Sequence, residues 1–198
     1  MIKKNDILAI IPVRKGSKRL PGKNTKLFAG EPLFVITLKE ALNSKYIDHI
    51  VVSTDCPITK KICKIQYPNI EVIDRPEELA TDKALSLDVI KHVLSIKDHK
   101  TIVLLQATSP LRDAEQIDIA IENFMMHDNG SLVSGYFHNG KFKFNGAIYI
   151  NDRDVLQSCK INCYNDSFLR YPMSKETSID IDTKKDFKKA EMIYNDDR

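Results

Sequence analysis

The chain has 198 residues, a net charge of +3, 42% hydrophobic residues and 29% charged ones. That is enough for one domain with a sizeable core, and two would be a stretch, so residues 1–198 are expected to form a single domain. The charge is too mild for a nucleic-acid partner, and no apolar run nears the roughly 18 residues that a membrane helix requires. Met1-Ile2-Lys3-Lys4-Asn5-Asp6 precedes an apolar run too short for a secretory leader, so a cytoplasmic location is expected.

In chain order, the pattern predicts a strand over Ile7–Ile11 and a helix over Pro32–Leu42, with apolar residues at helical spacing and a proline in its first turn. His49–Ser53 reads as a short strand and Pro57–Gln66 as a helix. Ile70–Ile73 reads as a strand, and Ser86–Ile96 as a helix with Ser86 as its cap. A buried strand over Thr101–Leu105 precedes an amphipathic helix over Ala114–Met126, closed by Asp128-Asn129-Gly130. Ser131–Tyr136 and Phe144–Ile150 read as strands joined by a polar turn over Tyr136–Phe142, and Asp182–Tyr194 as a final helix. Strands alternating with helices imply an α/β fold in three layers: a mostly parallel sheet with helices on both faces. Ligands bind beyond the carboxyl ends of such strands, so the loops Pro12–Asn24, Thr54–Asp55 and Gln106–Arg112 are expected to converge on one cleft.

The loop after the first strand carries the strongest chemical signal. Arg14, Lys15, Lys18, Arg19 and Lys23 crowd together with Gly16, Pro21 and Gly22. Such cations repel one another unless an anion sits among them, and the glycines let backbone N–H groups approach a phosphate. Arg14, Lys18, Arg19 and Lys23 are therefore read as neutralising a triphosphate. Neither a Walker A loop nor a G-x-G-x-x-G fingerprint is present.

Ser178-Ile179-Asp180-Ile181-Asp182 has strand alternation, which sets Asp180 and Asp182 on one side about 7 Å apart. Two such carboxylates can hold a Mg²⁺ with phosphate oxygens. Asp182 reads equally as the N-cap of the last helix. Gln106 ends a buried strand and either reads a ligand or belongs to a helix-capping turn; Arg75 and Ser86 either frame a nucleotide or lie in an ordinary loop. Cys56, Cys63, Cys159 and Cys163 lack C-x-x-C spacing and read as free thiols. The five histidines show no metal-motif spacing and read as surface or helix-end residues.

The ordered set IIPVRKGSKRLPGKN, VVSTD (51–55), RPEELATD with the later Ser86, LLQATSPLR, NGAIYI and SIDIDT resembles the acylneuraminate cytidylyltransferases, from residue 8 to about 187. The resemblance implies a Rossmann-like nucleotide-diphospho-sugar transferase (GT-A-like) architecture. It also implies CMP transfer from CTP to a nonulosonic acid, with Mg²⁺ (or Mn²⁺) as cofactor. It assigns Lys23, Arg14, Asp180 and Asp182 to catalysis, and the two aspartates to the metal. Arg14, Ser17, Lys23, Asn24, Arg75, Ala84 and Ser86 would bind the nucleotide; Gln106, Lys143 and Asn145 would meet the sugar acid. Arg19-Leu20-Pro21-Gly22-Lys23 also fits the Kdo-type enzymes, whereas Asn24 and SIDIDT favour the sialate side. A CTP-binding relative that has lost sugar turnover is the remaining alternative. The chain departs from the family at Tyr136–Phe142, where a few residues replace the usual dimerisation arm, so the implied homodimer has an altered interface. It departs too at Lys143, in place of the family's arginine, and at Ala107, in place of a common proline.

Overall fold

The structure, a computed structural model, describes residues 6–127, 130–159 and 168–196. Residues 1–5, Cys163 and the Asp128-Asn129 part of the expected helix stop lie outside them. The first strand, β1 (Ile7–Pro12), shows why an unbroken apolar run forms here. Ile7, Ala9 and Ile11 pack into one hydrophobic core, and Leu8 and Ile10 into another on the opposite face. Successive side chains of a strand point to opposite faces, so a strand covered on both sides must be apolar throughout.

The other strands are β2 (Leu27–Phe28), β3 (Glu31–Pro32), β4 (His49–Thr54), β5 (Glu71–Asp74), β6 (Thr101–Leu104), β7 (Ser131–His138), β8 (Lys141–Asp152) and β9 (Leu169–Pro172). The helices are α1 (Leu33–Asn43), α2 (Pro57–Gln66), α3 (Ser86–Leu94), α4 (Ala114–Met125), α5 (Arg153–Ser158) and α6 (Lys184–Asp196). A seven-stranded sheet runs in the order β5-β4-β1-β6-β8-β7-β9, and β2 and β3 form a separate two-stranded ribbon. The half from β5 to β6 is parallel; β8 is antiparallel to β6 and β7, and β9 is parallel to β7. Side chains of α1, α2 and α4 fill the core on one face, those of α3 and α5 the core on the other. These are the three layers expected.

A third cluster matters for the cleft. Leu20 from the basic loop, Phe28, Leu33 and Ile36 meet Ile181, Phe187 and Ala190. Phe28 packs edge-on against Phe187 at 5.4 Å and Tyr194 at 5.2 Å between ring centroids, contacts worth about 0.5–1.5 kcal/mol each beyond simple burial. Together with Leu33 and Ile36 of α1 they seat α6 against β2 and α1, and so hold the segment before α6 near the basic loop.

Several expectations are corrected. The hairpin between β7 and β8 is tighter than the Tyr136–Phe142 turn expected: only Asn139 and Gly140 intervene, at φ 50° and 73°. Positive φ at both central residues is the two-residue turn whose twist suits a hairpin. The polar residues Lys141 and Lys143 lie on exposed positions of β8 rather than in a loop. β9 and α5 went unforeseen, being four and six residues long without a clear period. Pro32 sits at the N-cap position of α1 rather than within its first turn. Ser86 is the first helical residue of α3, with Leu85 at the cap position; Asp88 accepts the Leu85 amide at 3.3 Å, leaving Ser86 out of the capping role. Asp180 and Asp182 do not lie in a strand: residues 179–183 are irregular, tied to the Thr108 carbonyl by the Ile181 amide at 2.8 Å. The alternation persists in burial, with Ile181 fully buried and Asp180 exposed.

Candidate active site

Beyond the carboxyl ends of β1 and β6 lies an open cavity of about 190 Å³. Arg14, Ser17, Lys23, Asn24, Arg75, Ala84, Ser86 and Gln106 all line it, along with Asp82 and Thr108. Every residue that the resemblance assigned to the nucleotide therefore meets in one place, with Gln106 beside them. Thr54 and Asp55 do not line it, but Asp55 shapes its wall: the Lys15 amide donates to Asp55 Oδ1 at 2.8 Å.

The basic loop is less unbalanced than its sequence suggests. Asp82 pairs with Arg14 at 2.6 Å and with Lys18 at 2.8 Å. Asp182 pairs with Arg19 at 2.9 Å and with Lys23 at 3.2 Å. Contrary to what the sequence led one to expect, a bound anion is not the only relief for this crowd: carboxylates distant in sequence pair with four of its five cations. Arg14 and Lys18 hold the Asp82 carboxyl below the usual carboxylate range, the Lys18 hydrogen bond contributing most. Lys23 is buried, only 9% exposed, and also donates to the Ile181 carbonyl at 2.5 Å. A lysine whose stem is buried and whose ammonium meets two oxygens is a fixed positive charge, not a solvated one. Gly22, at φ 67°, makes the left-handed turn that opens the short 3-10 turn Lys23–Thr25. Asn24 is buried beside it, donating from Nδ2 to the Arg14 carbonyl at 3.0 Å; its Oδ1 has no hydrogen-bond partner among the described residues.

Arg75 closes the cavity from the β5 side. It is 7% exposed and donates from Nη2 to the Ser53 carbonyl at 2.7 Å. Burial, reinforced by the nearby Arg14 cation, lowers it to about 10, against the opposing pull of Asp55. A buried guanidinium flanked by a second cation favours an electron-rich ligand in the space in front of it.

On the far side, Gln106 leans over Gly146. A Cβ on Gly146 would stand 2.8 Å from Gln106 Oε1, and φ there is +75°. The Asn-Gly start of NGAIYI thus makes room for a glutamine forty residues earlier in the chain. Arg112, buried, donates from Nη1 to the carbonyls of Gln106 at 3.0 Å and Ser109 at 2.7 Å, and so fixes the turn that presents Gln106. Burial lowers its guanidinium to about 9. Asn145 is not on the cavity wall. Its Oδ1 accepts Ser134 Oγ at 2.6 Å and the Ala147 amide at 3.1 Å; its Nδ2 donates to Ser178 Oγ at 2.9 Å and lies 3.2 Å from Met173 Sδ. It ties the sheet to the segment that carries Asp180. Lys143 is exposed on β8, opposite Tyr136, and does not line the cavity.

The two aspartates sit at the lip. The first turn of α6 is capped by Thr183 and Asp186: Asp186 Oδ2 accepts the Thr183 amide at 2.8 Å, and the Asp186 amide donates to Thr183 Oγ1 at 3.2 Å. Asp182 is therefore not consumed as a cap. Asp180, open to solvent on one side but set among many protein atoms, has its carboxyl raised by desolvation and by the charge of Asp182. The Thr108 hydroxyl bond and Lys23 oppose the shift. Sequence reasoning gave no role to Asp82, Thr108 or Arg112, although all three stand inside motifs it quoted. Asp82 was discoverable only as a carboxylate with no helix or strand to serve.

A family model for cytidylyltransferases matches residues 8–174. The N-acylneuraminate cytidylyltransferase of Streptococcus agalactiae serotype III is 35% identical over 214 residues, covering 91% of this chain and 51% of that protein. The CMP-N,N'-diacetyllegionaminic acid synthase of Legionella pneumophila is 44% identical over 126 residues, 59% of this chain and 52% of that protein. The chain thus spans about half the length of these curated relatives. A solved structure of CMP:2-keto-3-deoxy-manno-octonic acid synthetase complexed with CTP superposes with a TM-score of 0.78. At 16% identity it covers 98% of this chain and 100% of that one, a likeness of fold. With the match running from β1 to the residues just past β9, the chain belongs to the cytidylyltransferase family.

Proposed function

We propose that this chain transfers CMP from CTP to the anomeric hydroxyl of a nonulosonic, sialic-type acid and releases pyrophosphate. The observation that carries the reading is the convergence of Arg14, Ser17, Lys23, Asn24, Arg75, Ala84 and Ser86 on one cavity. The names of the relatives that match it, an N-acylneuraminate cytidylyltransferase and a diacetyllegionaminate synthase, support the acceptor class.

In this reading the triphosphate takes Arg14 and Lys18 from Asp82, and Lys23 and Arg19 from Asp182. Each exchange swaps a carboxylate for phosphate oxygens, so no cation is left bare. Arg75, Asn24 and Ser86 surround the cytidine, the free Asn24 Oδ1 accepting from it. Gln106, held by Arg112 and Gly146, meets the sugar acid. The anomeric oxygen attacks the α-phosphorus in line; the new oxygen–phosphorus bond forms as the bond to the pyrophosphate oxygen breaks. The hydroxyl proton leaves through water held at the Asp180 carboxylate. Such transfers are governed by positioning and by charge neutralisation, and Lys23, fixed before substrate arrives, supplies both.

Asp180 and Asp182 fit a divalent cation such as Mg²⁺ or Mn²⁺. They are hard oxygen donors; burial raises the Asp180 carboxyl and the like charge of Asp182 adds to it, so a cation beside the pair would favour the ionised form of both. A bound cation would neutralise charge on the phosphate oxygens.

The test is pyrophosphate release from CTP and Mg²⁺ with a panel of acidic sugars: Neu5Ac, legionaminic, pseudaminic, Kdn and Kdo. Release with a nonulosonate supports the reading and names the acceptor. Release with Kdo alone, or CTP binding without release from any sugar, overturns it.

A further inference from the structure

The end of the sheet remote from the cleft carries a second set of ligating groups. Asp6 precedes β1, His49 opens β4 and His99 lies just before β6. These strands are neighbours in the order β4-β1-β6 and run parallel, so their amino ends arrive side by side. The register sets Leu8 beside His49 and Ile7 beside Thr101. One ligand atom from each of Asp6, His49 and His99 lies within 4.8 Å of the other two. His99 Nδ1 is 2.6 Å from Asp6 Oδ1, and the two imidazole rings stand 4.7 Å apart, tilted by 47°. His99 is buried, whereas Asp6 and His49 open to solvent. The neighbouring acids are engaged elsewhere: Asp48 Oδ2 accepts the Ile7 amide at 3.1 Å, and Asp98 pairs with Arg153 at 3.1 Å. Asp6 also holds a left-handed backbone, φ 46°, a conformation that costs energy and persists where the surroundings over-determine it.

We propose that Asp6, His49 and His99 bind a divalent first-row transition ion of the Zn²⁺ class, which clips the start of β1 to β4 and β6. Two imidazoles and a carboxylate suit such an ion and disfavour Mg²⁺ or Ca²⁺, which take oxygen ligands. Tetrahedral zinc with bonds of about 2.0–2.2 Å sets its ligand atoms roughly 3.3 Å apart. The 2.6 Å Asp6–His99 contact then opens by about 0.7 Å, and no other separation need close by more than about 1.5 Å. Side-chain rotation of the exposed Asp6 and His49 supplies both. The ion takes the place of the hydrogen between Nδ1 and Oδ1, the imidazole of His99 carrying its proton on Nε2, and water completes the coordination. The site is independent of the cleft and of the reaction proposed for it.

The test uses the full chain, with Zn²⁺ followed by calorimetry in a non-chelating buffer and Co²⁺ followed by visible absorption. A single Zn²⁺ is expected to bind and to raise the melting temperature as its free concentration increases. Co²⁺ is expected to give d–d bands without a thiolate charge-transfer band. His49→Ala and His99→Ala are each expected to weaken Zn²⁺ by more than the roughly 10–100-fold that loss of an outer-shell partner costs. His49 is exposed, so H49A retains the fold even where H99A does not. Three results would overturn the site: no Zn²⁺ uptake, unchanged uptake in H49A, or a charge-transfer band showing that the ion sits on cysteine.

Discussion

Lys23→Met keeps the buried stem of Lys23 and removes its charge. The ammonium now donates to the Ile181 carbonyl at 2.5 Å and meets Asp182 Oδ1 at 3.2 Å, from a side chain only 11% exposed. Hydrogen bonds involving a charged group contribute about 1.5–3 kcal/mol, so K23M should lose about that much stability. In a chain of this length each kcal/mol moves the melting temperature by about 2–4 °C, which gives a fall of roughly 3–12 °C. Turnover should fall further than stability explains, by about 10²–10³-fold, as for loss of a preorganised donor at developing charge. A solvated lysine in this loop would cost turnover only; the burial of Lys23 adds the stability loss. Differential scanning calorimetry and pyrophosphate release, run well below the mutant's melting temperature, read the two effects separately. A K23M protein with wild-type melting and wild-type turnover would refute both the contact and the role.

Asp82→Ala removes the carboxylate shared by Arg14 and Lys18, and should tighten CTP binding by about two- to fivefold at low salt, the gain fading as salt screens the exposed pairs. Titration calorimetry at two ionic strengths reads it, and weaker binding would give Asp82 a direct part in holding the nucleotide. Asp182→Asn should raise the Mg²⁺ concentration needed for half-maximal pyrophosphate release; an unchanged titration would move the metal elsewhere. Gly146→Ala brings a Cβ to 2.8 Å from Gln106 Oε1 at a positive φ, so KM for the sugar should rise while CTP affinity holds; the reverse pattern would take Gln106 away from the sugar. Burial pushes the Cys63 thiol from 9.0 up to about 11. The folded state keeps that proton longer than the unfolded one, so its contribution is complete below about pH 9 and is lost as pH rises toward about 11. Thermal melts of wild type and Cys63→Ala across that window should therefore converge, and parallel curves would show the thiol to be unshifted.

What was legible in the sequence follows from local rules. Apolar runs too short for helices became β1, β4 and β6, because both faces of a central parallel strand are buried and leave no alternation to read. The helices α1 to α4 appeared within a few residues of their expected bounds, since a one-sided apolar stripe has a period that sequence displays. β9 and α5 were missed because four to six residues carry too little period, and pairing with β7 rather than propensity makes Leu169–Pro172 a strand.

Of the seven nucleotide-binding candidates, Arg14 and Lys23 could be read from the basic loop, because phosphate chemistry demands cations and glycines after a strand; Arg75 and Ser86 offered only one of two readings, and the full set came from the family resemblance. Which carboxylate answers which cation could not be read, since Arg14 meets Asp82 and Lys23 meets Asp182 only after the chain has wound through the sheet. The same is true of Gln106 over Gly146, and of Asp6, His49 and His99 at the opposite end. By itself the sequence determined the layers, the basic loop and the family. Tertiary structure decided the partners, because charge pairing and ligand clusters depend on distances across strands, and sequence order does not encode those distances.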